Sequence, residues 1–324
     1  MTSPSKTEFD RVLDALKAAG EETRLRLLRL LAHEELSVME LVSILDQSQP
    51  RISRHLKLMN EAGLIERFPD GAWVFYRLSQ AAATRPLIDA ILDRLDDAYA
   101  TDMVRLDEVR RQRRTSAEAY FETIAPTWDE IRSHYIAESK VEELVGEWAA
   151  LEPYNHLVDL GTGSGRMLSL LAPHAQTAIG IDLSQHMLNV ARNHVHDDGL
   201  KNVEFRHGDI YDTRLPSASA DLVVIHQVLH FLTDPARAIA EAGRILRSGG
   251  RLLIVDFAPH NIELMREKYQ HRRLGIAEDD MRSWLKAAGF QGGGSGLRLQ
   301  SETGEGLTVA MWCYSRFSLN SPAA

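Results

Sequence analysis

The chain has 324 residues, 44% of them hydrophobic and 26% charged, with a formal net charge of -9 at pH 7. That length exceeds what one hydrophobic core usually organises, so two domains are expected, and the acidic balance excludes a uniformly basic nucleic-acid binder. The single cysteine, Cys313, excludes a disulfide framework; no apolar run nears the roughly eighteen residues of a membrane span, and Met1 to Asp10 hold no signal-peptide core, so a cytoplasmic protein without membrane contact is expected.

The charge is unevenly placed. Residues 1–115 carry 18 basic against 19 acidic side chains, and the remainder 19 against 27. Within residues 47–77, Arg51, Arg54, Lys57, Arg67 and Arg77 outnumber Glu61, Glu66 and Asp70. A locally basic face on an acidic protein fits DNA contact confined to one element.

Apolar residues recur at helical spacing over 7–19, 22–33, 37–46 and 48–62, with breaks at Gly20, Glu34-Glu35 and Gln47-Ser48. In the fourth helix Ser48 is expected to cap, Pro50 suits the first turn, and Ile52, Leu56 and Met59 form one buried stripe. Opposite that stripe lie Gln49, Arg51, Arg54, His55 and Lys57, side chains that hydrogen-bond phosphates or base edges. Gly63 ends the helix, and Leu64 to Phe68 is expected to pair with Trp73 to Leu78 across Pro69-Asp70-Gly71-Ala72. Three helices, a basic helix and a hairpin spell a winged helix-turn-helix.

On the run Ser48-Gln49-Pro50-Arg51-Ile52-Ser53-Arg54-His55-Leu56-Lys57-Leu58-Met59 and its exit Glu61-Ala62-Gly63-Leu64-Ile65, the chain resembles the ArsR family of winged-helix repressors, over about residues 8–100. The resemblance implies double-stranded operator DNA as partner and a homodimer that presents two recognition helices to successive major grooves. Many family members bind soft metals through two cysteines on the third helix. Here Ser37 and Met39 stand at those positions, and no histidine lies between His55 and His134, so no metal is assigned. From Gln80 to about Arg114, Ile88, Leu92, Leu95, Tyr99, Leu106 and Val109 recur as on one long amphipathic helix, ended by the run Arg110 to Arg114, which reads as an exposed linker. The expected domains are 1–100, a helical linker over 101–115, and 116–324.

In the second domain the apolar strand His156-Leu157-Val158-Asp159-Leu160 runs into Gly161-Thr162-Gly163-Ser164-Gly165, and a second acidic strand end, Asp182, follows 21 residues after Gly161. Glycines permit a sharp turn and close backbone approach to a ligand, and the distant carboxylate stands where it accepts from two ribose hydroxyls. Gly208-Asp209-Ile210 and the strand Asp221 to His226 follow at fitting intervals. On these residues the chain resembles the class I S-adenosylmethionine-dependent methyltransferases, over roughly residues 116–316, particularly the ubiquinone and menaquinone C-methyltransferase branch. Gly161, Gly163 and Gly165 spell its Gly-x-Gly-x-Gly turn, whereas Arg166 occupies the place where dinucleotide dehydrogenases carry their third glycine.

The resemblance implies S-adenosylmethionine as cofactor and S-adenosylhomocysteine as product. Asp159 is expected to reach the methionine ammonium, and the Gly161 and Gly163 backbone to pass under the methionine portion. Asp182 would hold the ribose, Asp209 the adenine amino group with Ile210 beside the ring, and His226 would lie next to the methionine portion. His226 and His230 are the candidate general bases. Ala119 to Asp129 resembles a segment covering the cofactor, with Tyr120, Phe121 and Trp128 as aromatic shields.

A helix over 278–288 and strands near 297–301 and 307–314 complete the expected fold: a mainly α winged helix-turn-helix followed by an α/β Rossmann-like seven-stranded methyltransferase fold. The Asn-Pro-Pro-aromatic tetrad of amino-methylating DNA enzymes is absent after the fourth strand, so the methyl acceptor is expected to be a small molecule, not DNA. Two functions stay open: a regulator whose second domain methylates a small molecule, and a non-catalytic repressor that senses S-adenosylmethionine or S-adenosylhomocysteine.

Overall fold

The computed structural model describes residues 7–70, 73–79, 84–95, 99–124, 138–293, 297–299 and 307–316. The chain divides into two compact units, Met1–Thr115 and Ser116–Ala324.

The first unit opens with α1 (Glu8–Ala19), α2 (Glu22–His33), α3 (Val38–Leu45) and α4 (Gln49–Glu61). Reciprocal capping boxes start α1, between Thr7 and Asp10, and α3, between Ser37 and Glu40, satisfying donors that a helix start otherwise leaves open. The expected Ser48 side-chain cap on α4 is not made: the Ser48 carbonyl accepts from Arg51 and Ile52, and Pro50 removes one donor from the first turn. Gly63, at φ +73°, ends α4 in the left-handed region.

Three strands, β1 (Leu36–Ser37), β2 (Ile65–Asp70) and β3 (Trp73–Leu78), form an antiparallel sheet ordered β1-β3-β2, with Ile65 opposite Leu78 and Asp70 opposite Trp73. The hairpin ladder thus runs two residues beyond the expected Phe68. Leu27, Leu28, Leu41, Ile44, Ile52 and Leu56 are fully buried in the unit's core.

The single helix expected over 80–114 is instead two, α5 (Arg85–Leu92) and α6 (Ala100–Ile124). Tyr99 has φ +66°, a left-handed conformation that a continuous α-helix cannot hold. Residues 101–115 are not a linker but part of the first unit. Leu106 and Val109 are buried in its core, Asp102 accepts two bonds from Arg26 at 2.6 and 2.7 Å, and Arg110 donates to Glu34. The run Arg110 to Arg114 lies inside α6.

The second unit alternates helices and strands: α7 (Glu138–Ala149), β4 (His156–Leu160), α8 (Arg166–Leu171), β5 (Thr177–Asp182), α9 (Gln185–Asp197), β6 (Val203–His207), β7 (Ala220–His226), α10 (Pro235–Ile245) and β8 (Leu246–Phe257). Then come α11 (Leu264–Glu267), α12 (Glu278–Ala287), β9 (Phe290–Gly293), β10 (Leu297–Leu299) and β11 (Val309–Arg316). The sheet is ordered β10-β11-β8-β7-β4-β5-β6, parallel from β8 through β6, with β11 antiparallel.

Residues 220–225 of β7 are buried throughout, as befits a central parallel strand covered on both faces. The seven expected strands gain an eighth, β9, which pairs with β11; its Phe-Gln-Gly-Gly sequence carries no strand signal. From β4 the chain winds outward through β5 and β6, then returns to β7 on the other side of β4. The carboxyl ends of β4 and β7 therefore form the switch point where open α/β sheets bind ligands.

Candidate functional site

Leaving β4, Gly161, Gly163 and Gly165 take φ values of +74°, +52° and +82°, which side chains rarely adopt. The Gly161 and Thr162 amides donate to the Ile181 carbonyl at 2.8 and 3.0 Å, hooking the turn onto the neighbouring strand. A Cβ on Gly161 would stand 2.5 Å from Val228 Cγ2, so the loop after β7 rests directly on this turn.

Two carboxylates close the site. Asp182, half-buried at the end of β5, accepts from the Gly163 amide through Oδ2 and from the Ser184 amide through Oδ1, both at 2.8 Å. Burial pushes its pKa up, opposed by those two amides and by His207. A carboxylate offers about four acceptor sites, so lone pairs remain for ligand hydroxyls. Asp159 is 1% exposed. Its Oδ2 accepts from the Thr162 hydroxyl at 2.6 Å, while its Oδ1 is buried with no partner. Burial drives its pKa up to about 7, the Thr162 bond opposes, and Asp182 adds repulsion. Burial favours the neutral form of such an acid, and a neighbouring cation would favour the charged one.

The Gly208 amide donates to the Asp182 carbonyl, so Asp209 and Ile210 leave β6 beside Asp182. Asp209 Oδ1 accepts from the Tyr211 amide, and Ile210 is buried. His226 is half-buried at the end of β7. His230 is 1% exposed, with its Nδ1 2.7 Å from Asp256 Oδ1. Sequence reasoning overlooked Thr162, Val228, Asp256 and His271. Asp256, an acid near the end of an apolar strand like Asp159 and Asp182, carried the findable signal. The Tyr120 and Phe121 side chains, and Trp128, lie outside the described residues.

In the first unit, Ile52, Leu56 and Met59 point into the core, and Gln49, Arg51, Arg54 and Lys57 are exposed on α4. His55 does not share that face. It is half-buried, with Nδ1 3.6 Å from Glu21 Oε2, and burial lowers its pKa. Arg77, from the same basic stretch, donates to Glu66 at 2.9 Å and lies over the Phe68 ring. The Ser37 hydroxyl, at one of the positions where metal-binding relatives carry cysteine, accepts from the Glu40 amide.

A winged helix-turn-helix and a Rossmann-like methyltransferase fold thus occupy one chain. Residues 21–67 match the family "bacterial regulatory protein, arsR family", and residues 158–254 match "methyltransferase domain", so the chain carries an arsR-family segment followed by a methyltransferase domain. The uncharacterized methyltransferase YcgJ of Bacillus subtilis is 31% identical over 108 residues, 33% of this chain and 43% of that protein. An arsenite methyltransferase of Halobacterium salinarum is 29% identical over 153 residues, 44% of this chain and 39% of that protein. The chain therefore spans less than half the length of these two curated relatives. Among solved structures, a chain from the complex of the Haloferax volcanii Trm112 methyltransferase activator with its methyltransferase superposes with a TM-score of 0.53 at 17% identity. That alignment covers 64% of this chain and 100% of that one, and speaks for the fold alone.

Proposed function

We propose that the chain is a DNA-binding transcriptional regulator whose second unit binds S-adenosylmethionine and methylates a small molecule. The observation that carries the cofactor is the buried, partnerless Asp159 Oδ1 beside the glycine turn. The residues fit the group: Asp159 pairs with the methionine ammonium, the Gly161 and Gly163 backbone lies under the methionine portion, and Asp182 accepts from the ribose. Asp209 and Ile210 hold the adenine, and His226 borders the methionine end. The bound cofactor supplies an electrophilic methyl on a sulfonium. The chain contributes grip and orientation, which account for much of the acceleration of such a transfer.

The acceptor is organic. Arsenite is a soft, thiol-seeking species, and the one cysteine, Cys313, is buried enough in β11 to push its thiol pKa up to about 12. Operator DNA is the partner of Gln49, Arg51, Arg54 and Lys57. A homodimer is supported by α1, where Phe9, Val12, Leu13 and Leu16 recur at helical spacing with Phe9 74% exposed, an apolar stripe suited to a second copy. No described helix is long and apolar enough to cross a membrane; we assign the protein to the cytoplasm with its DNA.

The sensing repressor is the second reading, because a winged helix-turn-helix and a methyltransferase domain share one chain. Calorimetric titration of the full chain with S-adenosylmethionine and S-adenosylhomocysteine tests the cofactor, and transfer of labelled methyl into a small-molecule extract separates enzyme from sensor. No binding of either ligand would remove the proposal.

A further inference from the structure

Past β7 the backbone reverses at Gln227, φ +54°, sets Val228 against Gly161, and enters a 3-10 turn over Leu229–Phe231. His230 therefore sits two residues from a side chain that touches the glycine turn. Asp256 Oδ1 accepts from His230 Nδ1 at 2.7 Å and from the Phe257 amide, and Oδ2 lies 3.3 Å from the His230 amide. With Nδ1 turned to the fully buried Asp256 carboxylate, Nε2 is the His230 ring nitrogen left to meet a ligand.

His271 lies against this pair. Its ring centroid is 4.1 Å from that of His230 and 5.5 Å from that of Phe257, and the Arg272 and Arg273 amides donate to the His230 carbonyl, fastening the segment down. His271 is 5% exposed, and its Nδ1 is buried with no partner. Burial, helped by repulsion from His230, His260 and Arg266, holds the ring far below the ordinary histidine pKa, so it is neutral. A buried nitrogen left unsatisfied beside an oriented base is what a ligand-binding pole looks like before its ligand arrives.

We propose that Asp256, His230 and His271 form the acceptor side of the methyl-transfer site, for a ligand bearing a hydroxyl on a planar ring. This rests on the methyltransferase reading above. Asp256 is the positioning residue. As the acceptor oxygen bonds to the methyl carbon and the methyl–sulfur bond breaks with its electron pair on sulfur, the O–H proton passes to His230 Nε2. The resulting imidazolium pairs with Asp256 and later gives the proton to water. His271 Nδ1 bonds a second polar group of the same ligand. A phenol suits a histidine base, because its hydroxyl, with a pKa of about 10 for tyrosine, gives up its proton far more readily than an aliphatic alcohol. Phe231 and Phe257, with ring centroids 4.1 and 5.0 Å from that of His230, make its surroundings aromatic, an environment that suits a flat ring.

The test uses the full chain saturated with S-adenosylhomocysteine and 4-nitrocatechol as probe, whose phenolate absorbs apart from the phenol. The parent should produce the phenolate band below the probe's own pKa. His230→Gln and Asp256→Asn should lose it, and His271→Phe should weaken probe binding about tenfold, the worth of one buried hydrogen bond. S-adenosylmethionine affinity should stay unchanged in all three. In parallel, nitrogen-15 histidine spectra should report the Nδ1–H tautomer at residue 230 and its reversal in Asp256→Asn. Should Asp256→Asn not fold, His271→Phe carries the test. Normal cofactor binding with no phenolate band, or with a band and probe affinity that the variants leave intact, overturns the acceptor site while sparing the cofactor reading. A parent that binds no S-adenosylmethionine overturns both.

Discussion

Gly161 and Val228 meet so closely that a single added carbon on the glycine would lie 2.5 Å from Val228 Cγ2. The contact packs the loops after β4 and β7 directly together at the switch point of the sheet. Gly161→Ala therefore carries two penalties: a left-handed backbone, about 1 to 2 kcal/mol, and a clash with Val228. Gly161→Ala should lower unfolding free energy in urea and abolish cofactor binding, and adding Val228→Ala should recover the clash but not the backbone part. Full recovery in the double variant would mean that only space matters at this position.

On the proposed ribose role, Asp182→Ala should weaken S-adenosylmethionine by about 1.5 to 3 kcal/mol, since the carboxylate would accept from ligand hydroxyls while its two protein bonds hold the turn. That corresponds to roughly ten- to over a hundred-fold in calorimetric affinity. An unchanged value would remove this residue from the cofactor site.

Asp159 gives a pH signature. Its folded pKa, about 7, stands above its ordinary 3.8, so the folded chain holds a proton that the unfolded chain has released over that window. Stability of the unliganded chain from this group is accordingly greatest below about pH 4 and declines as pH rises to about 7. Ligand binding runs the other way: the ammonium requires the carboxylate, so affinity should climb by up to about tenfold per pH unit below 7 and level off above it. Asp159→Asn should flatten both profiles relative to the parent, measured by urea unfolding and titration from pH 5 to 8. Parallel profiles would locate the titrating group elsewhere.

What the residues announced and what they concealed follow one physical line. The positive φ values of the turn demand glycine, and the buried faces of α4 demand apolar residues at helical spacing, so Gly161, Gly163, Gly165 and the Arg51–Arg54 face were legible. Contacts between distant segments were not. His55 has the helical position of a DNA contact, but it is half-buried, 3.6 Å from Glu21 at the start of α2. Asp256 and His271 meet His230 only through the packing of separate segments, and Tyr99 breaks the expected long helix without any residue-type signal.

Arg51 and Arg54 should carry DNA contact. A base-reading arginine contributes about 1 to 3 kcal/mol of discrimination, whereas a phosphate contact weakens all sequences alike and lowers the salt slope by about one. Fluorescence anisotropy on an operator selected from random duplexes, at several salt concentrations, distinguishes them, and His55→Ala should change affinity less than either arginine variant. Parent-like binding by both Arg51→Ala and Arg54→Ala would reject α4 as the reading helix.

Cofactor and DNA should be coupled through α6. Its first turns are tied to the winged unit by Arg26 to Asp102 and Arg110 to Glu34, and the second unit follows it in the chain. A ligand shifts DNA affinity only by its differential affinity for the DNA-competent and incompetent states, typically about 1 to 3 kcal/mol or roughly five- to 150-fold. Linkage then requires operator DNA to change cofactor affinity by the same factor, and Asp182→Ala to shift the ligand concentration at which the change occurs. Breaking the tie with Asp102→Asn should reduce the coupling while leaving cofactor affinity in the absence of DNA near the parent's. Operator affinities that are equal without ligand, with S-adenosylmethionine and with S-adenosylhomocysteine would instead describe two independent units on one chain, and would favour the enzyme over the sensor.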